Sequence, residues 1–265
     1  MITAVLKGGL GNQLFQISAA INLALENKES FSFDSGTWGE RGGAAKTFQA
    51  RHPSSYQETI YRRLPFVSLK DRQFNHVYRE PHFHFKEIEH RPNMIIDGYF
   101  QSEKYFKKNS DTIRKVFYPL HIKKEGFLNK YDIDSSEVVG VHVRRGEYLN
   151  DSIHHPPCDV GYFTCAMDKF AKSENVVFLF VSDDIEWCKQ NFKGHLYSKN
   201  SSDIEDFYDL IMCDHNIISN STFSWWAAWL NNNPDKRVYV PKTWFGPGHG
   251  SFNLKDLIPK EWEVI

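Results

Sequence analysis

Two adjacent arginines close the run Val138-Val139-Gly140-Val141-His142-Val143-Arg144-Arg145-Gly146-Glu147. A guanidinium is planar, permanently charged and matched to a phosphate edge. Side chains alternate faces along a strand, so His142 and Arg144 share one face and Val141 and Val143 the other. Such a strand delivers an imidazole and a guanidinium to its carboxyl edge, where open α/β sheets bind ligands. Two arginines there suit a diphosphate. A surface salt bridge of the pair with Glu147 accounts for them equally well.

Three other stretches could do chemistry. Ser182-Asp183-Asp184 ends the apolar run Val176 to Val181. Its carboxylates could bind a divalent metal, accept hydrogen bonds from a nucleobase or ribose, or cap the following helix. Asn220-Ser221-Thr222-Phe223-Ser224 leads into Trp225-Trp226-Ala227-Ala228-Trp229-Leu230. A helix start offers unpaired N–H groups and partial positive charge to an anion, and Ser221, Thr222 and Ser224 add hydroxyls. The three tryptophans fit better as core than as sugar platforms. Gly8-Gly9-Leu10-Gly11-Asn12-Gln13 is a glycine turn whose backbone can approach a ligand closely. It satisfies neither GxGxxG nor the Walker pattern. Asn12 and Gln13 carry amides suited to hydroxyls, although Asn12 would also serve as a helix cap.

His76, His82, His84, His154 and His155 cluster in sequence, and His82 and His84 would share a face if their segment were a strand. No metal-binding spacing supports ligation, so they are read as solvated or core histidines. No GxSxG elbow points to a hydrolase.

The elements that must carry these residues alternate. Strand 2–6, the glycine turn and a helix over 14–25 open the chain, with Phe31–Asp34 as the next strand. Residues 35 to 75 are irregular, holding Gly36, Gly39, Gly42 and Gly43 and a short helix near 55–64. A strand over 95–100 precedes a helix capped by Ser102, and helical pattern resumes over 111–117. Beyond about residue 135 the rhythm is clean: strands at 138–143, 176–181, 216–219 and 238–241, and helices at 162–172, 185–191, 205–213 and 221–230. This alternation predicts parallel sheets. The composition shift at 120–136 marks the division between domains.

Composition bounds the rest. The 265 residues are 41% hydrophobic and 25% charged, which fits one large or two small globular domains. A net charge of −1 argues against nucleic acid as a main partner, so any basic site is local. The four cysteines, Cys158, Cys165, Cys188 and Cys213, form no CxxC pair and read as reduced thiols. No signal peptide and no apolar run of membrane-spanning length is evident.

Taken in order, Gly8 to Gln16, Gly98-Tyr99-Phe100-Gln101-Ser102, His142-Val143-Arg144-Arg145-Gly146-Glu147-Tyr148, Ser182-Asp183-Asp184 and Asn220 to Leu230 resemble the α-1,2-fucosyltransferases of glycosyltransferase family 11. The resemblance implies an α/β, GT-B-like fold of two Rossmann-like domains facing a cleft, the N-terminal one reduced or irregular. Residues 1–125 would bind the acceptor and 126–265 the nucleotide-sugar donor. It implies inverting, metal-independent transfer of L-fucose from GDP-fucose to the 2-hydroxyl of a galactose-type acceptor in a surface glycan such as an O-antigen, with no cofactor. Arg144 would bind the β-phosphate with help from Arg145. His142 and an aspartate of Asp183-Asp184 would hold the guanosine, and Asn220, Ser221, Thr222, Phe223 and Ser224 the diphosphate. Gly11, Asn12 and Gln13 would face the acceptor, with Asn12 beside the fucose. The family usually has Asp where this chain has Glu147, a candidate base. A different nucleotide sugar, a metal-dependent transfer through Asp183 and Asp184, and a non-catalytic carbohydrate binder are the alternatives. The expected location is the cytoplasm, or the inner face of the membrane as a peripheral protein.

Overall fold

A computed structural model describes residues 1–35, 51–171, 173 and 175–265. The expected glycines at 36, 39, 42 and 43 and the helix end at Lys172 lie outside these residues. The chain forms two compact units: Met1–Tyr118 with Ser251–Pro259, and Pro119–Gly250 with Lys260–Ile265.

In the first unit, β1 (Ile2–Ala4), β5 (Met94–Asp97) and β4 (His76–Arg79) form a parallel sheet in that order, with Ile2 opposite Met94 and His76 also opposite Met94. A two-stranded parallel sheet joins β2 (Phe33–Asp34) to β3 (Phe66–Val67). Helix α1 (Leu10–Glu26) packs on β1 with Leu14, Phe15, Ile17 and Ile21 fully buried. A shorter helix, α2, spans Ser110–Phe117.

Helix α1 starts four residues earlier than its periodicity suggests. Gly9 is its N-cap, and Gly8 has φ +77°, a conformation that favours glycine. Gly11, Asn12 and Gln13 therefore belong to the first helical turn, and the glycine turn shrinks to Gly8-Gly9. The helix expected near 55–64 is instead a 3-10 turn at Pro53–Tyr56 followed by further turns, with Tyr56, Ile60, Tyr61 and Leu64 buried. Ser102 does cap a 3-10 turn, its hydroxyl accepting from Lys104 N at 3.3 Å. His82 and His84 are not on a strand. Pro81 has no N–H to continue the ladder after Arg79, and the two imidazoles stack at 3.6 Å on an irregular segment.

The second unit is one six-stranded parallel sheet, β11-β10-β9-β6-β7-β8. Its strands are β6 (Glu137–Val143), β7 (Val176–Ser182), β8 (Leu196–Tyr197), β9 (His215–Ile217), β10 (Val238–Val240) and β11 (Glu263–Val264). After α3 (Lys124–Lys130), the crossovers are α4 (Val160–Asp168), α5 (Ile185–Asn191), α6 (Asp203–Met212) and α7 (Thr222–Leu230). The chain walks from β6 to β7 to β8, then returns to β9 on the other side of β6. The order thus reverses between β6 and β9, the kind of switch point at which open α/β sheets bind ligands.

The alternation read from β6 holds. Val139, Val141 and Val143 pack with Phe163, Phe170 and Phe180 in one core cluster. His142 points to the other side, its ring 5.3 Å from that of Phe223. Trp225 and Trp226 are fully buried and Trp229 nearly so, as core residues of α7. All four cysteines are free thiols. The two-residue strands β8 and β11 are too short to leave a period in the sequence.

Gly140 lies where α6 presses on β6. A Cβ there would sit 2.8 Å from Cys213 Sγ and 3.1 Å from Leu210 Cδ2. Gly140→Ala is expected to destabilise the protein by about 1–3 kcal/mol through overpacking, read as a lowered unfolding midpoint in urea. An unchanged midpoint would show that the contact yields freely.

Candidate functional site

Three loops leave the carboxyl edge of the second unit's sheet side by side. The register pairs Val143 with Ser182 and Val141 with Ile217. Arg144-Arg145-Gly146, Asp183-Asp184 and Ser219-Asn220-Ser221 therefore emerge together, the first and last flanking the switch point.

Their polar groups are tied to one another. Arg144 N donates to Ser219 Oγ at 3.0 Å, and that hydroxyl donates to the His142 carbonyl at 2.7 Å. Asp183 Oδ1 accepts from Arg145 N at 2.9 Å, and Oδ2 lies 2.8 Å from Arg144 Nη1. Gly146 abuts the same carboxylate: a Cβ there would be 2.6 Å from Asp183 Oδ2. Asp184 does two jobs. Oδ1 caps α5 by accepting from Trp187 N at 3.3 Å, and Oδ2 accepts from Arg145 Nε at 3.1 Å. The Arg145 guanidinium also sits over the Trp187 ring at 4.0 Å, a cation–π contact that fixes its plane.

Glu147 lies on a 3-10 turn, Glu147–Asn150, with Oε2 3.4 Å from Arg144 Nη2. The salt bridge considered from the sequence exists, but the closer partner of Arg144 is Asp183. Two carboxylates thus flank one guanidinium, which carries five N–H donors and remains partly exposed. Tyr148 lies beneath it, its ring 5.6 Å from the Arg144 Cζ and its hydroxyl donating to the Asn220 carbonyl at 3.1 Å.

The Ser221 stretch divides by role. Ser221 is the N-cap of α7 and makes no side-chain hydrogen bond to the first turn, so the positive end of the helix macrodipole is not neutralised by its own cap. Ser224 is fully buried, its hydroxyl 3.3–3.4 Å from the Ser221 and Ser219 carbonyls. Thr222 and Phe223 are half-buried on the first turn. The Asn220 amide donates to the Pro156 and Trp244 carbonyls at 3.0 and 2.9 Å, so it braces the loops around the site.

His142 is buried, and its Nδ1 has no hydrogen-bond partner among the described residues. Burial first, and the Arg144 charge second, push its pKa down to about 3. It is neutral at physiological pH and can act as a hydrogen-bond donor or acceptor but not as a cation.

In the first unit, the carboxyl ends of β1, β5 and β4 carry Lys7-Gly8-Gly9, Gly98 to Ser102 and Glu80. Gln13 is fully buried, and its amide is committed to the fold. Nε2 donates to the Gly8 and Arg51 carbonyls at 3.0 and 2.6 Å, and Oε1 accepts from the Tyr61 hydroxyl at 3.1 Å. Asn12 Oδ1 accepts from Gln101 Nε2 at 2.9 Å. Residue types alone did not single out Ser219, Trp187 or Glu80. Ser219 had a signal in its place between the end of β9 and the α7 cap; Glu80 had none.

The family model for Glycosyl transferase family 11 matches residues 1–265. An alpha-1,2-colitosyltransferase of Escherichia coli is 27% identical, the match covering 100% of this chain and 99% of that protein. The O-antigen biosynthesis glycosyltransferase WbnK of Escherichia coli is 28% identical over 93% of this chain and 95% of the relative. A galactoside 2-alpha-L-fucosyltransferase of Caenorhabditis elegans is 28% identical over 90% of this chain and 71% of the relative. Among solved structures, NodZ alpha-1,6-fucosyltransferase soaked with GDP-fucose superposes with a TM-score of 0.53 at 13% identity, covering 86% of this chain and 92% of NodZ. The α/β fold is accordingly GT-B-like. Among the described residues, no helix is long and apolar enough to cross a membrane.

The depressed pKa of His142 has a consequence for stability. Its unfolded-state value lies near 6.5, so between about pH 6.5 and 3 the unfolded chain binds a proton that the native state refuses. Stability from this group is complete above that window and is lost as pH falls through it, by at most about 1.4 kcal/mol per pH unit. A His142→Asn variant should lose less stability than the parent between pH 7 and 5 in urea titrations. Parallel losses would mean that the native imidazole protonates freely.

The match of the family model over the whole length of the chain places it in glycosyl transferase family 11.

Proposed function

We propose that the protein is an inverting transferase that moves L-fucose from GDP-fucose to the 2-hydroxyl of a galactose-type acceptor in a surface glycan, O-antigen being the leading case. It needs no cofactor and works in the cytoplasm or against the inner membrane face. The observation that carries this reading is the convergence of Arg144 and the uncapped start of α7 on one edge of the switch point.

The mechanism follows the charge. As the bond from fucose C1 to the β-phosphate oxygen breaks, its electron pair moves onto GDP. The Arg144 guanidinium and the positive end of α7 oppose that growing charge in a site already organised before the substrate arrives. Arg145, with its plane fixed by Trp187 and Asp184, supports the same diphosphate. His142, with Asp183 or Asp184, holds the guanosine. Residues 1–125 take the acceptor, with Gly11 and Asn12 nearest the sugar and Gln13 holding the turn. Glu147 is the candidate to take the acceptor proton; its carboxylate is the only one of the three around Arg144 and Arg145 that makes no hydrogen bond to a backbone N–H in the arginine and α5 turns. A metal-free transfer is supported by the pairing of Asp183 and Asp184 with the two arginines, which leaves the aspartates poorly arranged to share a cation.

The E. coli relative named for colitose transfer favours a second reading, in which the donor carries colitose. Hydrolysis or transfer assays with a panel of nucleotide sugars separate the two. The leaving-group role is tested by Arg144→Ala, which should lower transfer by roughly 10²–10³-fold; a variant retaining more than about a tenth of the parent rate would remove Arg144 from that role. Excess EDTA should leave the rate unchanged, whereas its loss would return Asp183 and Asp184 to a metal site.

A further inference from the structure

The turn after β5 holds a bulky residue in a strained conformation. Phe100 has φ +53°, in the left-handed region that a bulky side chain adopts only when its surroundings hold it there. Glu80, just past β4, does the holding. Its Oε2 accepts from Tyr99 N at 2.6 Å and from Phe100 N at 3.1 Å, and its Oε1 lies 3.1 Å from Phe100 N. The Tyr105 hydroxyl contributes a longer contact of 3.4 Å. Gly98 gives the clamp its room, since a Cβ there would lie 2.4 Å from Glu80 Cβ.

What this turn presents is Gln101. The residue is 6% exposed, and its Nε2 donates to Asn12 Oδ1 at 2.9 Å. Its Oε1 is buried with no hydrogen-bond partner among the described residues. A buried carbonyl oxygen left unpaired is costly, and native structures keep few of them without a reason. With the N–H end engaged by Asn12, the oxygen is the end that remains to be satisfied.

We propose that Gln101 reads one hydroxyl of the acceptor sugar, its Oε1 accepting a hydrogen bond from that hydroxyl, and that the half-buried Glu80 carboxylate is its positioning residue. This rests on the reading that the first unit takes the acceptor. It adds a specificity-determining group and the strained turn that aims it.

The test uses the full-length protein with a set of monodeoxy galactoside acceptors, each lacking one hydroxyl. The parent should discriminate against one of them by about tenfold in kcat/KM, the scale of one hydrogen bond to a fixed group. In Gln101→Ala that one discrimination should shrink to near unity, while the others persist. Glu80→Gln, which keeps the size of the clamp and removes its charge, should raise KM for the acceptor severalfold with little change in GDP affinity by calorimetry. Equal discrimination in Gln101→Ala and the parent, with GDP bound normally by both, overturns the role of Gln101. An unchanged acceptor KM in Glu80→Gln overturns that of Glu80. Failure of the parent itself to bind GDP overturns the reading beneath them.

Discussion

The second unit's site depends on one carboxylate. Asp183 leaves β7 directly opposite the end of β6 because the register pairs Val143 with Ser182. From there it accepts the Arg145 N–H, pairs with the Arg144 guanidinium and fills the space beside Gly146. Without an acceptor at that point, the Arg145 N–H would lose its protein partner and the Arg144 guanidinium its nearer carboxylate. The arginines are thus aimed by the backbone that Asp183 holds, and Ser219 secures the same turn from the β9 side. Elements on both sides of β6 fix one loop, which is the physical content of a site at a switch point.

Much of this was legible in the sequence because the second unit is regular. Apolar runs of fixed period end in charged or hydroxyl residues, and parallel strands put all such ends on one edge. His142 opposite Val141 and Val143 followed from the two-residue period of a strand, and the tryptophans of α7 lie in the core as their residue type suggested. Pairing was not legible. Nothing in residue types separates an arginine bound to Glu147 from one bound to Asp183, since that choice is made by a strand register some forty residues away. The double duty of Asp184, helix cap and arginine partner, is hidden for the same reason. The sequence offered capping and ligand binding as rivals, yet one carboxylate has two oxygens and can serve both ends of a loop.

The first unit was less legible because its strands are short and its packing is done by irregular segments. Turns after Pro53 bring Tyr56 and Tyr61 together at 5.6 Å, edge to face, where a helix was expected. Glu80 carries no motif, and its importance appears only when the positive φ of Phe100 and the missing Cβ of Gly98 are placed around its carboxylate. The glycine turn was misplaced by a few residues for a related reason: glycine is a poor helix former, yet Gly11 sits inside α1, where it is buried. Propensity gave way to packing there.

The charges around Arg144 constrain how the site can work. Arg144 and Arg145 bring two positive charges, and Asp183, Asp184 and Glu147 bring three negative ones, so this group of side chains has no net attraction for a diphosphate. In the proposed reading, binding comes from direction instead: guanidinium N–H groups left over after pairing, and the backbone N–H groups at the start of α7. Such a site is organised in advance at the cost of long-range pull. That fits the proposed leaving-group role, because fixed donors stabilise charge as it develops without holding the ground state more tightly than needed. It also gives the longer side chain of Glu147 a physical meaning. Reaching Arg144 at 3.4 Å, against 2.8 Å for Asp183, it is the looser of the two carboxylates flanking that guanidinium, which is the freedom that the proposed proton-accepting role requires.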